Sequence, residues 1–134
     1  MNKIKVPAKI DRLNELIHFV VSYARKQGFS KEKIGEIELM AEEVLVNVIN
    51  YAYPQEEGDV EVYCHPDEDN RLVIQVSDRG VPFDPLSVPP PDLSQDINSR
   101  QAGGLGIFIV RQLADELKYV WDGKRNILTF AIGR

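Results

Sequence analysis

Apolar and polar positions repeat with two different periods along this chain, and the changes of period mark out its elements. Residues 3–6 read as a short edge strand ended by Pro7. Residues 9–27 place Leu13, Leu16, Ile17, Val20 and Ala24 at helical spacing, with Gly28 as a stop. Ser30, followed by Glu32 and Lys33, opens a longer helix that runs to about Tyr53, where Pro54 closes it. Residues 59–65 then alternate, with Val60, Val62 and Cys64 on the core face and Glu61, Tyr63 and His65 on the other. A turn over 66–70 and a strand over 71–77 complete an antiparallel hairpin. A third helix is expected over 104–117, on a stripe of Gly106, Val110, Leu113 and Leu117. A last hairpin joins 118–121 to 126–132 around Asp122-Gly123.

Residues 81–103 show neither period and carry Pro82, Pro85 and the run Pro89-Pro90-Pro91. A structureless stretch of about 20 residues inside a compact domain is expected to be a lid or binding loop. The order is two helices, a hairpin, a lid, a helix and a hairpin. It predicts one domain over 1–134, an α+β two-layer sandwich whose mostly antiparallel, mixed sheet carries helices on one face.

Within that frame the second helix has two stripes. Ile37, Ala41, Val44, Val48 and Tyr51 form an apolar one; Glu36, Glu43, Asn47 and Asn50 form a polar one about 100° around the axis, bordering the buried face. A polar stripe so placed lines a cleft between helix and sheet. Glu43 and Asn47 are one turn apart. Asn47 offers a neutral oxygen to Mg²⁺, and a metal already held by phosphates needs only one or two protein ligands. Glu43 is placed to accept a proton from a hydroxyl or water. The rival reading of both is a solvated Glu/Asn face.

Asp78, at the end of the strand Leu72-Val73-Ile74-Gln75-Val76, supplies an acceptor for an exocyclic amine such as that of adenine, and Gly80 permits close backbone approach. Asp-x-Gly is also ordinary turn chemistry. Gly103-Gly104-Leu105-Gly106 running into Ile107-Phe108 leaves backbone N–H groups free at a helix N-terminus for anionic oxygens, with Arg100 as an added positive charge. No G-x-x-x-x-G-K-[ST] loop occurs. The candidate ligand is therefore Mg-ATP held without a P-loop.

Totals narrow the partners. Sixteen Lys and Arg against 21 Asp and Glu give a net charge of −5, which disfavours a general role on nucleic acid or membrane surfaces. One cysteine, Cys64, excludes an internal disulfide and a cysteine-rich zinc site. The N-terminal residues show no signal-peptide apolar region, and no run approaches the ~18 apolar residues of a membrane span, so a cytoplasmic protein is expected.

Taken together, Glu43-Val-Leu-Val-Asn47-Val-Ile-Asn-Tyr-Ala-Tyr53, Asp78-Arg-Gly80 and Gly103-Gly-Leu-Gly-Ile-Phe-Ile-Val-Arg-Gln-Leu-Ala-Asp115 resemble the N, G1 and G2 boxes of the Bergerat ATP-binding fold. Among its members the chain resembles the bacterial anti-sigma-factor serine/threonine kinases over nearly its full length. That resemblance implies ATP and Mg²⁺ as cofactors and Glu43 as the catalytic residue. It implies Thr129 as a late-strand support for the adenine-binding Asp78. It also implies a small antagonist protein of STAS type as phosphorylation substrate, a sigma factor as a second partner, a homodimer, and a place in transcription regulation. The alternatives are a nucleotide-gated protein-binding module without kinase activity, and an isolated histidine-kinase catalytic domain. The last needs a phosphoacceptor histidine, and His18-Phe19-Val20 lacks the acidic and proline-containing neighbourhood of one.

Overall fold

In the computed structural model, which describes residues 2–87 and 104–134, five strands form one sheet with helices packed on one face. The strands are β1 (Lys3–Pro7), β2 (Asp59–Pro66), β3 (Leu72–Asp78), β4 (Glu116–Trp121) and β5 (Asn126–Ile132). Their order is β1-β2-β3-β5-β4, and all four pairings are antiparallel. The helices are α1 (Leu13–Lys26), α2 (Lys31–Tyr51) and α3 (Gly104–Leu113). A short 3-10 turn, Ile10–Arg12, precedes α1, so the regular helix begins later than the periodicity alone suggests.

The core lies between the sheet and α1 and α2. Phe130, Leu16, Ile37, Met40, Leu45, Leu72 and Ile74 are among its largest fully buried side chains. The expected stripe of α2 is buried at Ile37, Ala41 and Val44, and it widens to include Met40 and Leu45, because α2 packs against both α1 and α3 as well as the sheet. Ser30 caps α2 by accepting the Lys33 N–H at 3.1 Å. Strand alternation is as expected: Val60, Val62 and Cys64 point inward, while His65 lies against Tyr63 on the open face at 4.9 Å between ring centroids. Burial pushes the Cys64 thiol up to about 12.

The third helix is shorter than its stripe predicts. It stops at Leu113, and Asp115 donates its N–H to the Ala131 carbonyl at 2.8 Å, drawing the chain into β4. Leu117 therefore belongs to a strand, paired with Phe130. Leu113 and Leu117 are four apart, a spacing that a helix shares with the same-face positions of a strand.

Candidate functional site

Asp78 is the last residue of β3, the middle strand of the sheet, and its register opposite Val60 on β2 and Asn126 on β5 turns its side chain toward the helices. It is 6% exposed. With Asn47 of α2 it lines a cavity walled by Val44, Val48, Val76 and Leu128, with Tyr51 and Phe83 at the mouth. A carboxylate at the bottom of an apolar slot is costly unless it is hydrogen-bonded. One oxygen, Oδ1, is well supplied: it accepts the Gly80 N–H at 2.8 Å and the Asn126 Nδ2–H at 2.9 Å. Oδ2 accepts from no described residue. Burial raises the Asp78 pKa, and the two donors only partly offset that rise.

Gly80 is where the turn after β3 meets the end of α2. A Cβ there would lie 2.0 Å from the Ala52 carbonyl oxygen, which itself accepts the Val81 N–H at 2.9 Å. Tyr53 locks the same junction. Its hydroxyl accepts the Arg79 N–H at 2.8 Å and donates to the Asp59 carbonyl at 2.7 Å, while its ring fills the space beside Gly58. The end of the helix bearing Asn47 and the turn bearing Asp78 are thus tied together directly.

Glu43 lies one turn before Asn47 but outside the cavity lining. It is half-buried, and its pKa is raised by burial first and by the neighbouring Glu42 charge second. The backbone of Gly104, Leu105 and Gly106 forms the opening turn of α3, as the glycine run predicts. Gly103, Arg100 and most of the expected lid lie outside the described residues.

Thr129 does not support Asp78. It pairs with Gln75 and Lys118 and lies on the open face of the sheet with His65 and Gln75. The reason is the two-residue period of β5. Asn126, Leu128 and Phe130 are buried against the helices, and Thr129 falls in the opposite phase. The residue that holds Asp78 is Asn126, which the sequence reading passed over. It carried one available signal, a polar side chain in phase with Leu128, Phe130 and Ile132. All four hydrogen-bonding positions of its amide are used: Nδ2 donates to Asp78 Oδ1 and to the Val81 carbonyl at 2.9 Å each. Oδ1 accepts the Phe83 N–H at 3.1 Å and the Tyr119 hydroxyl at 2.5 Å.

A slot with mostly apolar walls and one carboxylate oxygen without a described donor can take a group that presents an amine. Among the described residues no three His, Cys, Asp or Glu side chains come together as a metal site. None of the described helices is long and apolar enough to cross a membrane.

The chain is similar to known proteins in both sequence and fold. Serine-protein kinase RsbW of Bacillus thuringiensis (strain Al Hakam) is 27% identical over 130 residues, covering 94% of this chain and 81% of the relative. RsbW of Bacillus anthracis (strain CDC 684 / NRRL 3495) matches to the same extent. The histidine kinase domain of the blue-light activated histidine kinase from Erythrobacter litoralis EL346 superposes with a TM-score of 0.54 at 20% identity over 95% of this chain. Another structure of that kinase gives 0.57 over 87%. The chain spans 61% and 41% of those two solved chains, and the likeness is one of fold. The sequence profile described as "Histidine kinase-like ATPase domain" matches residues 6–132. The chain belongs to the histidine kinase-like ATPase domain family.

Proposed function

We propose that this protein binds Mg-ATP and transfers its γ-phosphoryl group to a serine or threonine of a small regulatory protein, a reading supported by its similarity to proteins named serine-protein kinase RsbW. The observation that carries the reading is Asp78: a buried carboxylate, anchored through one oxygen and open at the other, in an apolar slot also lined by Asn47. In this reading adenine enters the slot with its amine on Asp78 Oδ2. Asn47 holds Mg²⁺ through its side-chain oxygen, and the first turn of α3 with Gly103 and Arg100 receives the phosphates. ATP supplies the phosphoryl group.

Glu43 orients or deprotonates the acceptor hydroxyl. Its raised pKa brings it nearer the working pH, where a general base is most effective. The partners are a small antagonist of STAS type and a sigma factor, which place the protein in the cytoplasm, in transcription regulation, as a homodimer.

Incubation with labelled ATP and the candidate antagonist, followed by mapping of any phosphoserine, tests the reading. Glu43→Gln should leave ATP affinity unchanged and lower transfer by about 10²–10⁴-fold. Undiminished transfer in that variant refutes the base assignment. The position of Glu43 outside the cavity lining favours one rival, a nucleotide-gated binding module, in which wild type binds ATP but transfers nothing.

A further inference from the structure

The base end of the cavity has a directional order of donors and acceptors that starts from groups with no freedom to change. The Phe83 N–H only donates and the Val81 carbonyl only accepts. The Asn126 amide facing both must therefore turn Oδ1 to Phe83 and Nδ2 to Val81. The Tyr119 hydroxyl donates to that same Oδ1 at 2.5 Å and reinforces the orientation. With Nδ2 fixed, Asp78 Oδ1 meets a donor from Asn126 and a second from Gly80. Both donors favour the ionised, acceptor-only form of Asp78 against the effect of burial, and the second oxygen is left without a described donor beside the cavity that Asp78 lines.

We propose that Asn126 and Tyr119 are positioning residues that set the purine preference of the site. By fixing the polarity of Asp78 they make it accept a 6-amino purine nucleotide and reject a 6-oxo one. The inference rests on the reading of Asp78 as the base-binding group. A 6-oxo purine would bring its carbonyl oxygen against a carboxylate oxygen, leaving both without a donor. A protonated Asp78 would instead offer its proton at Oδ2 and welcome that carbonyl. Preference for the 6-amino base must then narrow as pH falls through the raised pKa of Asp78. Loss of the Asn126 donor must move that fall-off to higher pH. The titratable and charged groups around Asp78 are Lys5 on β1, Tyr53, Glu56 and Glu57 beyond α2, Asp59 and Glu61 on β2, Arg79, Asp84, Tyr119 on β4 and Arg125 just before β5. Burial pushes both tyrosines upward, so they stay neutral through the acid range.

The experiment measures dissociation constants for Mg-ATP and Mg-inosine triphosphate from about pH 5 to 8, with folding checked by thermal melting. The proteins are wild type, Asn126→Ala, Asn126→Asp and Tyr119→Phe. Wild type should favour ATP by at least about tenfold. Asn126→Ala and Asn126→Asp should lose most of that preference, and Asn126→Ala should lose ATP binding at a higher pH than wild type. Tyr119→Phe should lose about threefold of the preference while melting near wild type, so it decides the matter if the Asn126 variants fail to fold. Folded variants that keep the wild-type ratio and pH profile overturn the inference. Equal binding of both nucleotides by wild type also overturns it, with ATP binding intact. A wild type that binds no ATP refutes the base-binding reading itself.

Discussion

Substituting Gly80 by alanine tests how closely the turn that bears Asp78 is wedged against the end of α2. The added methyl carbon would lie 2.0 Å from the Ala52 carbonyl oxygen, 2.5 Å from its carbonyl carbon and 2.7 Å from its Cβ. Ordinary contact begins at 3.4 Å, so 3.4 − 2.0 = 1.4 Å must be found between two backbones. Neither is a flexible side chain that can turn away. The turn must lift from the helix, which breaks the 2.9 Å Val81–Ala52 hydrogen bond and strains the 2.8 Å bond from Gly80 to Asp78. Overpacking costs about 1–3 kcal/mol and the lost hydrogen bond about 1, giving a destabilisation of about 2–4 kcal/mol. For a domain of this size that lowers Tm by roughly 6–16 °C. The urea midpoint should fall with the m-value unchanged. ATP affinity should fall by at least about tenfold, since Asp78 loses its alignment. Gly35→Ala is the internal control. Nothing lies within 4 Å of its Cβ position in α2, and it should stabilise by about 0.5–1 kcal/mol. If Gly80→Ala melts and binds ATP like wild type, the wedge is not there.

Two further substitutions probe the same junction. Asp78→Asn puts an amide donor where the adenine amine needs an acceptor, and calorimetry should show a ten- to hundredfold weaker ATP complex, about 1–3 kcal/mol. The same variant has a pH signature. Burial raises the folded-state pKa of Asp78, so the folded protein holds that proton more tightly than the unfolded chain does. Its stability therefore falls as pH rises from the ordinary carboxyl range through the raised value. Denaturation at neutral pH should find Asp78→Asn no less stable than wild type; a loss there would mean that the hydrogen bonds outweigh burial. Tyr53→Phe removes the partner of the Arg79 N–H and the Asp59 carbonyl and should cost about 1–2 kcal/mol in urea denaturation, with an unchanged midpoint refuting the latch.

The elements that were legible beforehand are those whose period is unambiguous. The second helix, with its Ser30 cap, and the hairpin of β2 and β3 follow directly from spacing, and so does the inward phase that carries Asp78 to the cavity. The shared four-residue spacing of Leu113 and Leu117 hid the end of α3, because only the tertiary bond from Asp115 to Ala131 decides between helix and strand there. The misplacement of Thr129 has a different origin. Carrying over a role by likeness of local sequence ignored strand phase, which admits Asn126 and excludes Thr129. The Tyr53 latch had no local signal, since it joins a residue after α2 to the far ends of two strands.

The pairing of β3 with β5 has a consequence for how the molecule is assembled in time. Asp78 and Asn126 face each other across a sequence separation of 48 residues, while β2 and β3 meet through a tight hairpin. A short loop closes early and a long one late, because loop-closure entropy must be met before the contact rewards it. The cavity at Asp78 is therefore expected among the last features to form, after β5 has left the ribosome. Interactions made after the folding barrier change the rate of leaving the native state and not the rate of reaching it. Bound ATP should accordingly lengthen the native lifetime and leave the refolding rate untouched, making the nucleotide a kinetic brake on unfolding.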